Sequence, residues 1–140
     1  MRTLPLSLII LLATAPGLSA QGTELPTVVR AGLMAYERGG ISAALRIWSQ
    51  DSPIADKFGS EVQHTFEQVK NVYRRMIGYD VLAVVQLGPH SARSYVVILY
   101  ESGPSYIWFD CYKKADHWVM TGFLFNVKPD TILPPGMLGH

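Results

Sequence analysis

Residues 94–127 run SYVVILYES, SYIWFDCYK and HWVMTGFLFNV almost without a break, three apolar, aromatic-rich segments parted by short turns. Val, Ile, Tyr, Phe and Trp suit a half-buried pleated sheet, and loops this short join only antiparallel neighbours. A fourth apolar segment at 80–87 precedes them and ends in the turn Gly88-Pro89-His90-Ser91. Strands are therefore predicted over 80–87, 95–100, 106–113 and 118–127, with further turns at Ser102-Gly103-Pro104-Ser105 and Ala115-Asp116. All helical periodicity lies upstream. The order predicts an α+β class: N-terminal helices packed on a four-stranded antiparallel meander sheet.

The first helix is predicted over 26–38, with Pro26 in its first turn, Val29, Leu33 and Tyr36 on one side, and Gly39-Gly40 ending it. Ile41, Ala44, Leu45 and Trp48 recur at helical spacing, and Asp51-Ser52-Pro53 stops this second helix. The third carries the clearest signals. Ser60-Glu61-Val62-Gln63 reads as a capping box. Val62, Phe66, Val69, Tyr73 and Met76 follow as one stripe, and Gly78 closes the element. Residues 21–25 form a short lead into the first helix.

An antiparallel sheet with one wet face alternates apolar with polar, yet Val96-Val97-Ile98-Leu99 does not. On the third strand Ile107, Phe109 and Cys111 point one way, and Trp108, Asp110 and Tyr112 the other. Both faces of the central strands thus need cover. The helices take one; a long tail, a ligand or a second copy of the sheet must meet the other. Ile132 and Leu133, in the Pro- and Gly-rich segment KPDTILPPGMLGH, are expected to tuck against the sheet, with 134–140 as a flexible C-terminal tail.

The start of the chain, MRTLPLSLIILLATAPGLSA, has a basic residue, a short apolar run broken by Pro16-Gly17, and small residues before Gln21. That is the pattern of a secretory signal peptide over 1–20, with periplasmic or secreted location and no stable membrane span after cleavage. The remainder suits one domain, 21–133 plus the tail. Lys and Arg total 12 against 11 Asp and Glu, and loss of Arg2 with the leader balances them. Such neutrality gives no footprint for nucleic acid. With one cysteine, Cys111, no intrachain disulfide can form, and its alternation with Ile107 and Phe109 makes it a small buried hydrophobe.

Helices first, then an apolar meander, resembles the NTF2-like (cystatin-like α+β) fold, as found in small uncharacterised secreted bacterial proteins. The residues carrying the resemblance are AALRIWSQDSP at 43–53, SYVVILYESGPSYIWFDCYK at 94–113 and DHWVMTGFLFN at 116–126. AYERGGISAALRIW at 35–48 also resembles one helical hairpin of a TPR or Sel1-like repeat. No second copy follows, and such hairpins stabilise only in stacks. The NTF2-like resemblance implies an apolar pocket between helices and sheet, where enzymes of that fold place an Asp or His base and a Tyr or Asp acid. Asp80, Asp110, His64, Tyr73 and Tyr112 are the candidates of those types here. His64, His90 and His117 stand in no metal-ligand spacing, and neither a nucleophile elbow nor a phosphate loop is present, so no cofactor is implied.

The reading that follows is a non-catalytic binding or interaction module, with Tyr73, Asp80, Trp108, Asp110 and Tyr112 as pocket or interface residues. Its partners would be a second copy, met through the sheet face bearing Trp108 and Tyr112, or a small apolar ligand. The alternatives are an isomerase- or dehydratase-type enzyme with Asp80 or Asp110 as base and Tyr73 as donor, or an accessory subunit of an envelope complex docking through its N-terminal helical hairpin.

Overall fold

A computed structural model describes residues 21–139; the expected signal peptide at 1–20 and His140 lie outside the described residues. The order is β1 (Gln21–Gly22), α1 (Thr27–Gly39), α2 (Ile41–Trp48), α3 (Ser60–Tyr73), β2 (Met76–Gln86), β3 (Ser91–Tyr100), β4 (Pro104–Lys114), β5 (His117–Asn126) and α4 (Pro129–Ile132). Helices at the N-terminal end pack on an open antiparallel meander of β2 to β5, the class that strand and helix order predicted. The lead adds something unforeseen. Gln21 and Gly22 pair with Val85 and Val84, so the two-residue β1 covers one end of the β2 edge.

α1 and α2 form a tight hairpin because only Gly40 separates them, at φ 82, a backbone region that a β-carbon disfavours. α3 departs from expectation at both ends. The capping box does not form: Gly59 is the N-cap, and the Gln63 amide instead donates to Ser42 Oγ at 2.9 Å, tying α3 to α2. The helix stops at Tyr73, where Arg74 turns the chain at φ 70, and not at Gly78. Met76 opens β2 opposite Tyr100, and Gly78 sits within that strand. Met76 is buried, as the stripe predicted, but from a strand; a periodicity that continues by coincidence cannot mark where a helix ends.

The main core lies between helices and sheet. Phe66 of α3 is its hub, with ring centroids 5.8 Å from Tyr36, 6.5 Å from Trp48 and 4.2 Å from Phe125. Ile107, Phe109 and Cys111 face it from β4, as parity predicted. On the other side of the sheet, Ile132 and Leu133 are buried with Ala83 and Tyr95, and Val85, Tyr106, Trp108, Met137 and Leu138 pack around them. The chain's own C-terminal segment is thus what covers the second apolar face. Burying two such aliphatic side chains contributes about 1.5–3 kcal/mol each.

Candidate functional site

The polar residues singled out from sequence fall on different surfaces. Asp110 stands on the outer face of β4, opposite Arg93 of β3. Arg93 Nε donates to Oδ1 and Nη2 to Oδ2, both at 2.7 Å, and the guanidinium carbon lies 4.1 Å from the Trp108 ring centroid. This is a two-pronged clamp stacked on an aromatic plane, geometry that only arginine provides. The hydrogen bonds that Arg93 donates to Asp110 hold the guanidinium still more firmly protonated, against the opposing effect of its partial burial. Both carboxylate oxygens are engaged, which leaves Asp110 poorly suited to take a substrate proton.

Asp80 is on the same face but pairs with Val97, while Asp110 pairs with Arg93. Four residues along a strand is roughly 13 Å. Asp80 is exposed. Tyr112 is half exposed near the far end of β4, on a shallow hollow of about 560 Å³ that it shares with Asp51, Lys114 and Val119. Tyr73 is on the helix side of the sheet, its ring 6.1 Å from that of Tyr100. Asp80, Asp110 and Tyr73 therefore do not converge, and the acid–base set has no common substrate position. His64 is exposed on α3. Cys111 is buried, and burial, with the Asp110 charge second, pushes its thiol up to about 12.

Tyr73 does line a hollow. A groove of about 370 Å³ opens between α3 and the end of β5, lined by Thr65, Gln68, Val69, Val72 and Tyr73 from the helix and by Phe125, Asn126 and Val127. Its origin is local. Of the α3 residues in the stripe only Phe66 is fully buried, while Val69 and Tyr73 are partly exposed beside β5, the last strand of the sheet among the described residues. Val72, off the stripe, is 71% exposed and Val127 41%. Tyr73 is seated on Gly103, where a β-carbon would lie 2.8 Å from its ring. Thr65 Oγ1 is engaged by Glu61 O, and Asn126 Oδ1 accepts from Lys128 N. Among the described residues no charged side chain lines the groove. Val72 and Val127 were not among the residues singled out, because neither belongs to a periodic stripe.

A third feature is an exposed ion cluster. Asp51, at φ 54 after α2, accepts from His117 Nε2 at 2.9 Å and from Lys114 Nζ at 3.2 Å; His117 Nδ1 lies 3.5 Å from Asp116 Oδ1. The Asp51 hydrogen bond chiefly raises the His117 pKa, and the His117 bond, then Lys114, lowers that of Asp51. Among the described residues no group of three or more His, Cys, Asp or Glu is placed to hold a metal ion, and no helix is long and apolar enough to cross a membrane. Comparison with protein-family models, curated proteins and solved structures returned no match to this chain.

Proposed function

We propose that this chain is a secreted or periplasmic, non-catalytic binding module that takes a small, uncharged, apolar ligand in the groove between α3 and β5. The observation that carries the reading is the groove itself: about 370 Å³, walled by Val69, Val72, Tyr73, Phe125 and Val127, with neutral polar groups alone at its rim. Volumes of this order and apolar walls with few polar groups are what small-molecule sites have in common. The location rests on the leader pattern at 1–20. The NTF2-like relationship rests on helices preceding a meander and on a hollow between the last long helix and the sheet.

The rival readings have less behind them. Catalysis wants Asp80, Asp110 and Tyr73 together, and they stand apart. Pairing of two copies through the Trp108 face wants that face open, and the chain's own tail lies on it. Docking through the α1–α2 hairpin wants an apolar patch, and Met34 is the one large apolar side chain exposed there among the described residues.

The test is titration with the uncharged fluorophore N-phenyl-1-naphthylamine, on the full chain and on Val72→Asp and Val127→Asp. Saturable enhancement is expected, weakened about tenfold or more by either carboxylate (~1.4 kcal/mol per tenfold). Exposed Val72 allows its substitution without loss of fold. Absence of saturation, or equal affinity in both variants, would overturn the assignment.

A further inference from the structure

The two edges of the sheet are finished differently. β2 carries β1 against Val84 and Val85 at one end and the exposed Asp80 farther along. β5 forms the other edge, and its first half is also covered. Ser52 Oγ donates to Met120 O there, and a bulge follows between Met120 and Gly122. Natural edges are guarded by charge, proline or a covering segment, because unpaired backbone is a template for another strand. Residues 118–127, WVMTGFLFNV, contain neither a charged residue nor a proline.

Beyond the bulge the backbone faces outward. Along a strand, residues whose side chains share a face turn their N–H and C=O groups to the same side. Tyr100, a core-facing residue of β3, donates its N–H to Gly103 O at the β3–β4 turn, at 3.0 Å. The core-facing residues of β3 therefore bond toward β4, and Ile107 and Phe109, opposite Val96 and Ser94, bond back. Phe125 and Phe123 are in turn opposite Ile107 and Phe109. Opposed residues of an antiparallel pair either exchange bonds or both turn away. Both phenylalanines thus turn their N–H and C=O away from β4, the side on which Met120 O meets Ser52. Among the described residues no group from outside the sheet bonds to them. Two donors and two acceptors along an extended edge call for a strand, not a small molecule.

Charge and symmetry identify that strand. The groove flanking this edge is lined by Val69, Val72, Phe125 and Val127, with no charged side chain among the described residues, so two copies of the edge meet without opposing like charges. Of eight large apolar side chains exposed among the described residues, three gather here: Val72, Leu124 and Val127. The C-terminal segment does not obstruct, since it leaves β5 to lie over Ala83 of β2 and Tyr95 of β3. An antiparallel copy related by a twofold axis at Leu124 sets Phe123 of each chain opposite Phe125 of the other. All four unpaired groups on each chain are then bonded. Leu124, 43% exposed, meets its own counterpart at the close, non-hydrogen-bonded position.

We propose that the chain self-associates by antiparallel pairing of this β5 edge with a second copy, joining two sheets into one. The association is independent of the ligand reading, because it needs no occupant in the groove. The experiment is sedimentation velocity of the full chain over a concentration series without added ligand, on the parent and on Leu124→Lys, with oxidative crosslinking of Leu124→Cys. The parent should show a concentration-dependent monomer–dimer equilibrium. Leu124→Lys, which sets two ammonium groups face to face at the axis, should weaken it about tenfold or more. With α-carbons ~4.5 Å apart the position is within disulfide reach, so Leu124→Cys should become a covalent dimer. Ile77→Cys, at an exposed position on β2, should not, and buried Cys111 takes no part. Leu124 is exposed, so unchanged circular dichroism is expected in both of its variants. A parent that stays monomeric at every concentration, Leu124→Lys associating like the parent, or Leu124→Cys crosslinking no faster than Ile77→Cys would each overturn the assignment.

Discussion

Gly32→Ala offers a sharp test of the packing, because two effects of known size oppose each other. Gly32 lies inside α1, where replacing Gly by Ala ordinarily stabilises a helix by about 1 kcal/mol. Here a β-carbon would fall 2.5 Å from Trp48 Cε2 and closer still to Nε1 and Cδ1. Carbon contacts are favourable near 3.5–4.0 Å, so the indole must withdraw by roughly 1–1.5 Å. It has little room to do so. Trp48 is fully buried, with its ring 5.1 Å from Phe109 and its Nε1 donating to Val29 O at 3.4 Å. Overpacking of this kind costs about 1–3 kcal/mol, and a strained or broken indole hydrogen bond about 1 kcal/mol more. Set against the helix gain, the net is a loss of about 2 kcal/mol, or about 8 °C in Tm for a domain of this size.

Thermal unfolding followed by far- and near-ultraviolet circular dichroism reads this directly, with the tryptophan signal in the near range reporting displacement of the indole. In a Trp48→Leu background, where the obstacle is gone, the same substitution should cost much less, since contacting residues are not additive. A Gly32→Ala protein that melts at or above the parent temperature would show that α1 and α2 do not meet as described.

Two further expectations concern ionisable groups. His117, held by Asp51, should titrate by NMR with a midpoint above 6.5 that falls back toward 6.5 in Asp51→Asn; an unmoved midpoint would dissolve the ion cluster. Because the His117 pKa is raised, its share of stability is complete below pH 6.5 and fades as pH rises through the higher folded value. Asp51 is lowered, so its share is present above pH 3.8 and fades as pH falls through the folded value, which makes the cluster strongest between pH 3.8 and 6.5. Cys111, with a thiol near 12, should resist Ellman's reagent at pH 8 in the native state and react fully once the chain is denatured; prompt native reaction would place it at the surface.

The meander was legible because its signals are local: turn residues at Gly88-Pro89, Gly103-Pro104 and Ala115-Asp116 bracket segments that nothing but a sheet accommodates. Strand parity on β4 carried equally well to the burial of Phe109 and Cys111 and to the outward placing of Asp110. What escaped the sequence is set by partners far along the chain. α3 ends at Tyr73 because Met76 pairs with Tyr100 and Arg75 O accepts from Glu101 N at 3.0 Å, contacts that helical periodicity does not encode. Gln63 leaves its own helix end for Ser42, a residue of another helix. The parity that placed Asp110 on the outer face could not identify Arg93 as its partner, since that depends on the β3–β4 register. The candidate groove was least legible of all. It is made where a helix and an edge strand fail to fill the space between them, and no residue pattern announces an unfilled space.

That unfilled space has a consequence for α3. The helix runs 14 residues yet buries one side chain fully, Phe66. Complete burial of a phenylalanine contributes about 1.5–3 kcal/mol, while ordering each residue of backbone opposes folding by about 1–2 kcal/mol. Helical hydrogen bonds and the partial burial of Val62, Val69 and Tyr73 supply the remainder, so α3 belongs with the elements that open locally at least cost. On the proposed reading, an apolar ligand seated against Val69, Val72 and Phe125 completes the burial that α3 lacks by itself. Binding and helix docking then share one free energy: whatever loosens α3 weakens the ligand, and the ligand holds α3 down on the sheet.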